Sequence, residues 1–134
     1  MPYELSFSKE FEVSRDDPDF YINDCCWGGD VVIERLLPLL EGNYESIRTC
    51  QEDWGWFIWF RKGGQRFEIN IQCDVPQEGE FRIHLVAFRR NWMFRRLTSD
   101  TPELESLRET VTKELQAWTG KVMTTRMSTD FRPI

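Results

Sequence analysis

The side chains of this chain with chemistry to offer are four cysteines, a single histidine, a run of arginines among aromatics and two acids beside tryptophans. Cys25, Cys26, Cys50 and Cys73 are candidate nucleophiles or metal ligands, and His84 is the candidate imidazole base. A zinc site needs ligand pairs at spacings such as C-x-x-C, and none occurs, so no metal and no cofactor are expected. Cys73 is in step with Ile69 and Ile71 and should be buried and inert. Cys25 stands near Gly28-Gly29 and the start of an apolar helix, a setting that lowers a thiol pKa and leaves it partly exposed. His84 falls on the mixed face of its strand, where a structural or solvent-facing role is the plainer reading. No catalytic residue is assigned.

The acids Asp16, Asp17 and Asp19 lack the alternating ligands, glycine and distant Glu of an EF-hand and read as a solvated loop. Gly28-Gly29 lacks the Lys and Ser/Thr of a phosphate-binding loop and reads as a turn into a helix. Glu52-Asp53 beside Trp54 and Trp56 has the flavour of a sugar cleft, but a glycosidase needs a second acid at a defined distance. The tryptophans then read as core or binding platform. The sharpest cluster is Phe88-Arg89-Arg90-Asn91-Trp92-Met93-Phe94-Arg95-Arg96. Such interleaving suits base stacking and phosphate contact. The plainer reading has Trp92 and Phe94 plugging the core while the arginines pair with acids elsewhere.

Charge weighs against nucleic acid. The chain carries 17 Lys and Arg against 23 Asp and Glu, net −6, a field that repels polyanions. The charge is uneven: residues 1–55 hold 13 acids and 4 bases, residues 56–100 hold 5 acids and 8 bases, and residues 101–134 hold 5 of each. The first two segments should pack side by side and neutralise one another, or else present an asymmetric surface to a charged partner. Thirteen of the 17 bases are Arg, which stacks on rings and grips carboxylates in pairs.

The elements follow from periodicity. Leu5, Phe7, Phe11 and Val13 alternate with polar residues as in a half-buried strand, interrupted at Lys9. A helix over 31–40, with Asp30 as its N-cap, presents Val32, Ile33, Leu36, Leu37 and Leu40 on one side, and Pro38 kinks or ends it. A weak strand covers 44–50. In the strand over 54–60, Trp54, Trp56, Ile58 and Phe60 share a face, while Phe57 and Trp59 make the other face apolar too. Residues 61–66 turn through two glycines into a clean strand over 67–75, and Pro76–Gly79 turns into another over 81–88. Residues 91–99 read as an irregular connection. Thr101 caps a helix with Pro102 at its first position, Leu104, Leu107, Val111, Leu115 and Trp118 at helical spacing, and Gly120 at its end. A last short strand falls within 121–127, before a tail.

The expected fold is α+β: a mainly antiparallel sheet of four to six strands, ordered β-α-β-β-β-β-α-(β), with two helices on one face, as one domain over 1–134. No apolar run approaches the ~20 residues of a membrane helix. The opening Met1-Pro2-Tyr3-Glu4-Leu5 lacks the pattern of a secretory signal, so a cytoplasmic protein with reduced thiols is expected. In outline the small, acidic α+β form resembles bacterial immunity proteins and acidic secretion chaperones, a likeness of form with no motif residues behind it. The functional expectation is a non-enzymatic protein that binds another protein or itself. Its surface would draw on Trp54, Phe57, Trp59, Arg89, Arg90, Trp92, Arg95 and Arg96. The alternative from another class is a small-molecule-binding or enzymatic domain with an aromatic pocket near Trp54, Trp56 and His84. Nucleic-acid binding through 89–96 is the weaker option, and no membrane role is expected.

Overall fold

The structure is a computed structural model that describes residues 2–10, 19–90, 96–98 and 101–127, without the side chains of Gln77, Arg90 and 96–98. The elements run β1 (Tyr3–Ser8), α1 (Gly29–Leu40), β2 (Glu45–Glu52), β3 (Gly55–Lys62), β4 (Gln65–Val75), β5 (Glu80–Arg90), β6 (Arg96–Thr98), α2 (Pro102–Thr119) and β7 (Met123–Arg126). The described strands form one antiparallel sheet of seven, in the order β2-β3-β4-β5-β1-β7, with β6 also on β5. The fold is α+β, as the alternation and the two amphipathic helices predict.

The sheet is built around the meander β2-β3-β4-β5. Its cross-strand rows run Ile58–Ile69–Leu85 and Trp56–Ile71–Ile83, and β1 extends them with Tyr3 and Leu5. Period-two alternation sends all of these side chains to one face. Both helices cover that face. Val32, Ile33, Leu36 and Leu40 of α1 and Leu104, Leu107, Val111 and Leu115 of α2 join a single core with the strand residues. Burying a side chain of this kind contributes about 1.5–3 kcal/mol, so the two stripes dominate the stability of the layer. Arg35 of α1 and Glu114 of α2, 2.8 Å apart, tie the helices at their outer edge.

Several details depart from the sequence reading. β6 gives the stretch read as irregular a short pairing with β5, which raises the strand count to seven. β1 ends at Ser8, where the Lys9 amide turns to donate to the Gly79 carbonyl at 2.9 Å. Its expected continuation at Phe11 and Val13, like the acidic loop at 16–18 and the C-terminal tail, lies outside the described residues. Gly28 rather than Asp30 is the N-cap of α1. Asp30 is buried inside the first turn and accepts from the Tyr21 hydroxyl at 2.7 Å. Pro38 does not end the helix, because it sits in the last turn, where the lost amide costs one bond near an end that frays anyway. Thr101 and Pro102 start α2 as expected, with the Thr101 hydroxyl accepting from the Leu104 amide.

The tightest joint between the layers is Gly29 against Trp56. A Cβ added at Gly29 would lie 2.2 Å from the Trp56 ring. That ring is fixed at the same pyrrole edge, since its indole N–H donates to the Cys26 carbonyl at 2.8 Å. Gly29→Ala is therefore expected to cost about 1–3 kcal/mol, read as a drop of several degrees in thermal midpoint. Gly64→Ala, which meets nothing within 4 Å, should stay within about 0.5 kcal/mol. Equal midpoints for the two variants in a thermal melt would contradict this joint.

Candidate functional site

β3 carries apolar residues on both faces, and the consequences differ on each. Trp56, Ile58 and Phe60 lie under the helices. Phe57 and Trp59 point to the second face, which no described helix covers. The two-residue turn Asp53-Trp54 then brings a third ring to them. Trp54 stacks on Phe57 with centroids 6.4 Å apart, and Phe57 stacks on Trp59 at 3.9 Å. Trp54 is 38% exposed, Trp59 half-buried, and Phe57, flanked by both, 5% exposed. The sequence reading put Trp54 on the face of Trp56. The chain reverses at 53–54, so alternation does not extend back to it, and its ring joins the opposite side.

Charged groups border this row. Cross-strand register sets Trp59 beside Glu68 and Val86, and Phe57 beside Asn70, His84 and Glu4. The Arg66 guanidinium lies 4.1 Å from the Trp59 ring centre, and its Nε is 3.3 Å from Glu68. Such a stack contributes about 0.5–1 kcal/mol where it is partly exposed. The Trp59 indole N–H is shielded from solvent and has no acceptor among the described residues. Further along, His84 Nε2 lies 3.1 Å from a Glu4 carboxylate oxygen. Arg82 donates to Gln72 at 3.2 Å and to Asp74 at 3.0 Å, with Glu4 3.8 Å away. The second face thus has an aromatic end and a polar, mixed-charge middle.

Of the expected arginines, only Arg89 has a described side chain. Arg89 is exposed on the helix-side register of β5. It adds weakly to the backbone amide and Gln65 in holding the Glu103 carboxyl below the usual carboxylate range. Arg90 and Arg96 pair through their backbones, but their side chains lie outside the described residues, as do Trp92 and Arg95 altogether. The three residues named for the pocket alternative do not share a face: Trp56 packs under α1, while Trp54 and His84 belong to the other side of the sheet. A groove of about 480 Å³ lined by Ser6, Phe81, Thr119, Lys121 and neighbours includes none of these three.

The four cysteines are all free thiols. Cys25 and Cys26 clip the hairpin tip, donating to the Asp53 carbonyl at 3.1 Å and the Glu52 carbonyl at 3.0 Å. This role follows from tertiary contact, and nothing in the sequence pattern announces it. Nor does it announce the Arg66–Trp59 stack, since cross-strand neighbours depend on register. Cys50 is exposed on β2, and Cys73 is buried in the core. Among the described residues, no group of three or more His, Cys, Asp or Glu is placed to hold a metal, and no helix is long and apolar enough to cross a membrane. No protein family matches the sequence, and neither a curated protein nor a solved structure matches the chain.

Burial pushes the Cys73 thiol up from 9.0 to about 12. The folded protein then holds this proton more tightly than the unfolded chain. The stabilisation is complete below pH 9.0 and is lost as pH rises towards about 12. Thermal midpoints should fall above pH 9.0, and fall less steeply in Cys73→Ala. At pH 8 a maleimide should label Cys50 and spare Cys73 in the folded protein. Parallel pH slopes for both proteins, or rapid labelling of Cys73, would contradict the assignment.

Proposed function

We propose that this chain is a non-enzymatic protein-binding module, of an immunity, chaperone or adaptor kind. Its second sheet face receives a protein partner. The observation that carries the reading is the stacked row Trp54–Phe57–Trp59 on the face that no described helix covers. Trp and Arg are enriched at binding hot spots, where they fill well-packed, desolvated positions. Here Trp54 offers exposed ring area, and the Arg66 guanidinium lies over the Trp59 ring. The adjoining Glu4, Arg82, His84 and Asp74 supply the polar rim that fixes orientation. The four free thiols suit a reducing, cytoplasmic setting.

Native mass spectrometry of the protein purified gently from its host tests this. The expected result is a complex with a polypeptide of different mass. Trp54→Ala should weaken it by more than about 2 kcal/mol, while the thermal midpoint of the free chain moves by less than about 2 °C. Phe57→Ala, a buried substitution, should lower the midpoint as well. A complex indifferent to Trp54→Ala, or a chain that never carries a different polypeptide, would overturn the reading.

A further inference from the structure

The sheet ends at β2, and the outer edge of that strand carries no described strand. Open edges are templates for another chain. The first part of this edge is spoiled: register shifts between Glu45 and Arg48, and Ser46 adopts φ 56°, an irregularity that bends the strand. Residues 48–52 are regular, and Arg48, Thr49, Cys50 and Glu52 are all exposed.

The two-residue turn closes on the Glu52–Gly55 pair, which exchanges backbone hydrogen bonds. Bonded and non-bonded pairs alternate along an antiparallel ladder. Cys50 and Arg48 therefore bond inward to β3, whereas the amides and carbonyls of Thr49 and Gln51 point outward. An antiparallel copy of the same strand must match outward groups to outward groups. That leaves three centres of symmetry: Thr49, Cys50 or Gln51. Centring on Thr49 sets Arg48 against Cys50, and centring on Gln51 sets Glu52 against Cys50. Only centring on Cys50 sets Arg48 opposite the partner's Glu52 and Glu52 opposite the partner's Arg48. It also bonds Thr49 to the partner's Gln51.

We infer that β2 pairs with β2 of a second copy of this chain about a two-fold axis at Cys50, joining two sheets into one. The inference goes beyond the protein-partner reading and does not rest on it. Two further features fit. Ile22 is 54% exposed, and its amide donates to the Gln51 side chain at 2.8 Å, so apolar area lies beside the seam on the helix side. Trp54 lies at the same end on the other face. The pairing covers a short strand, so association is expected in the range of about 1–100 µM.

Sedimentation equilibrium of the full chain tests the register. The protein should dimerise. Arg48→Glu and Glu52→Arg each set like charges opposite one another at both pairs and should weaken the dimer by about tenfold. The double variant R48E/E52R restores opposite charges and should return to within about threefold of the original. Cys50 pairs with itself at a non-bonded site, where Cα atoms approach about 4.5 Å, within disulfide range. Diamide takes up the two thiol hydrogens, is reduced to the hydrazine form, and should link two chains through Cys50. Cys50→Ser should abolish the link. A protein monomeric at roughly ten times the expected constant, single variants that dimerise normally, a double variant no better than the singles, or no Cys50 link would each overturn the inference.

Discussion

β3 has no polar face, and the rest of the molecule is arranged around that constraint. A strand apolar on both sides must be covered on both, or must leave one side for something else. On the first side Ile58 and Phe60 are fully covered and Trp56 partly so. Trp56 wedges against Gly29, its indole N–H is spent on the Cys26 carbonyl, and Ile58 and Phe60 disappear beneath α1 and its neighbours. The segment that precedes α1 is drawn to the β2–β3 hairpin by the same requirement, through the two adjacent thiols and through Gln51, which bonds the backbone of Phe20 and Ile22. On the second side Phe57 and Trp59 shelter one another, with Trp54 and Arg66 at the ends of the row.

Electrostatics has a smaller part. The acid-rich opening and the base-rich middle do meet, as Arg82 lies between Glu4 and Asp74. Tyr3 shows a more local arrangement: its ring is flanked by Arg108 and Arg126, and its hydroxyl donates to Glu105, which Arg108 also grips. Most of these groups are partly exposed, where an ion pair contributes about 0–1 kcal/mol. They set the polarity of the surface around the aromatic row more than they hold the fold together.

Much of the architecture was legible because two periods are hard to confuse. The clean alternation of 67–75 and 81–88 marks β4 and β5, and Thr101-Pro102 with Leu104, Leu107, Val111 and Leu115 marks α2 with both of its ends. What was illegible depends on contacts between distant residues. β1 pairs with β5 rather than with a sequence neighbour, and no pattern within either strand encodes that choice. β6 is three residues long, too short for a period. For the candidate site, the apolar second face of β3 could be read from Phe57 and Trp59. The side taken by Trp54 depended on the turn, and Arg66 could join Trp59 only once register set β4 beside β3.

The most direct test of a two-faced β3 is hydrogen exchange at the tryptophan indoles, followed by NMR on the uniformly ¹⁵N-labelled protein. The Trp56 N–H, bonded to the Cys26 carbonyl beneath the helices, should exchange slowly, and that of the exposed Trp54 should exchange with little protection. A Trp56 indole that exchanges as fast as Trp54, or a Trp54 indole as protected as Trp56, would contradict the account of Trp56 beneath the helices and Trp54 outside their cover.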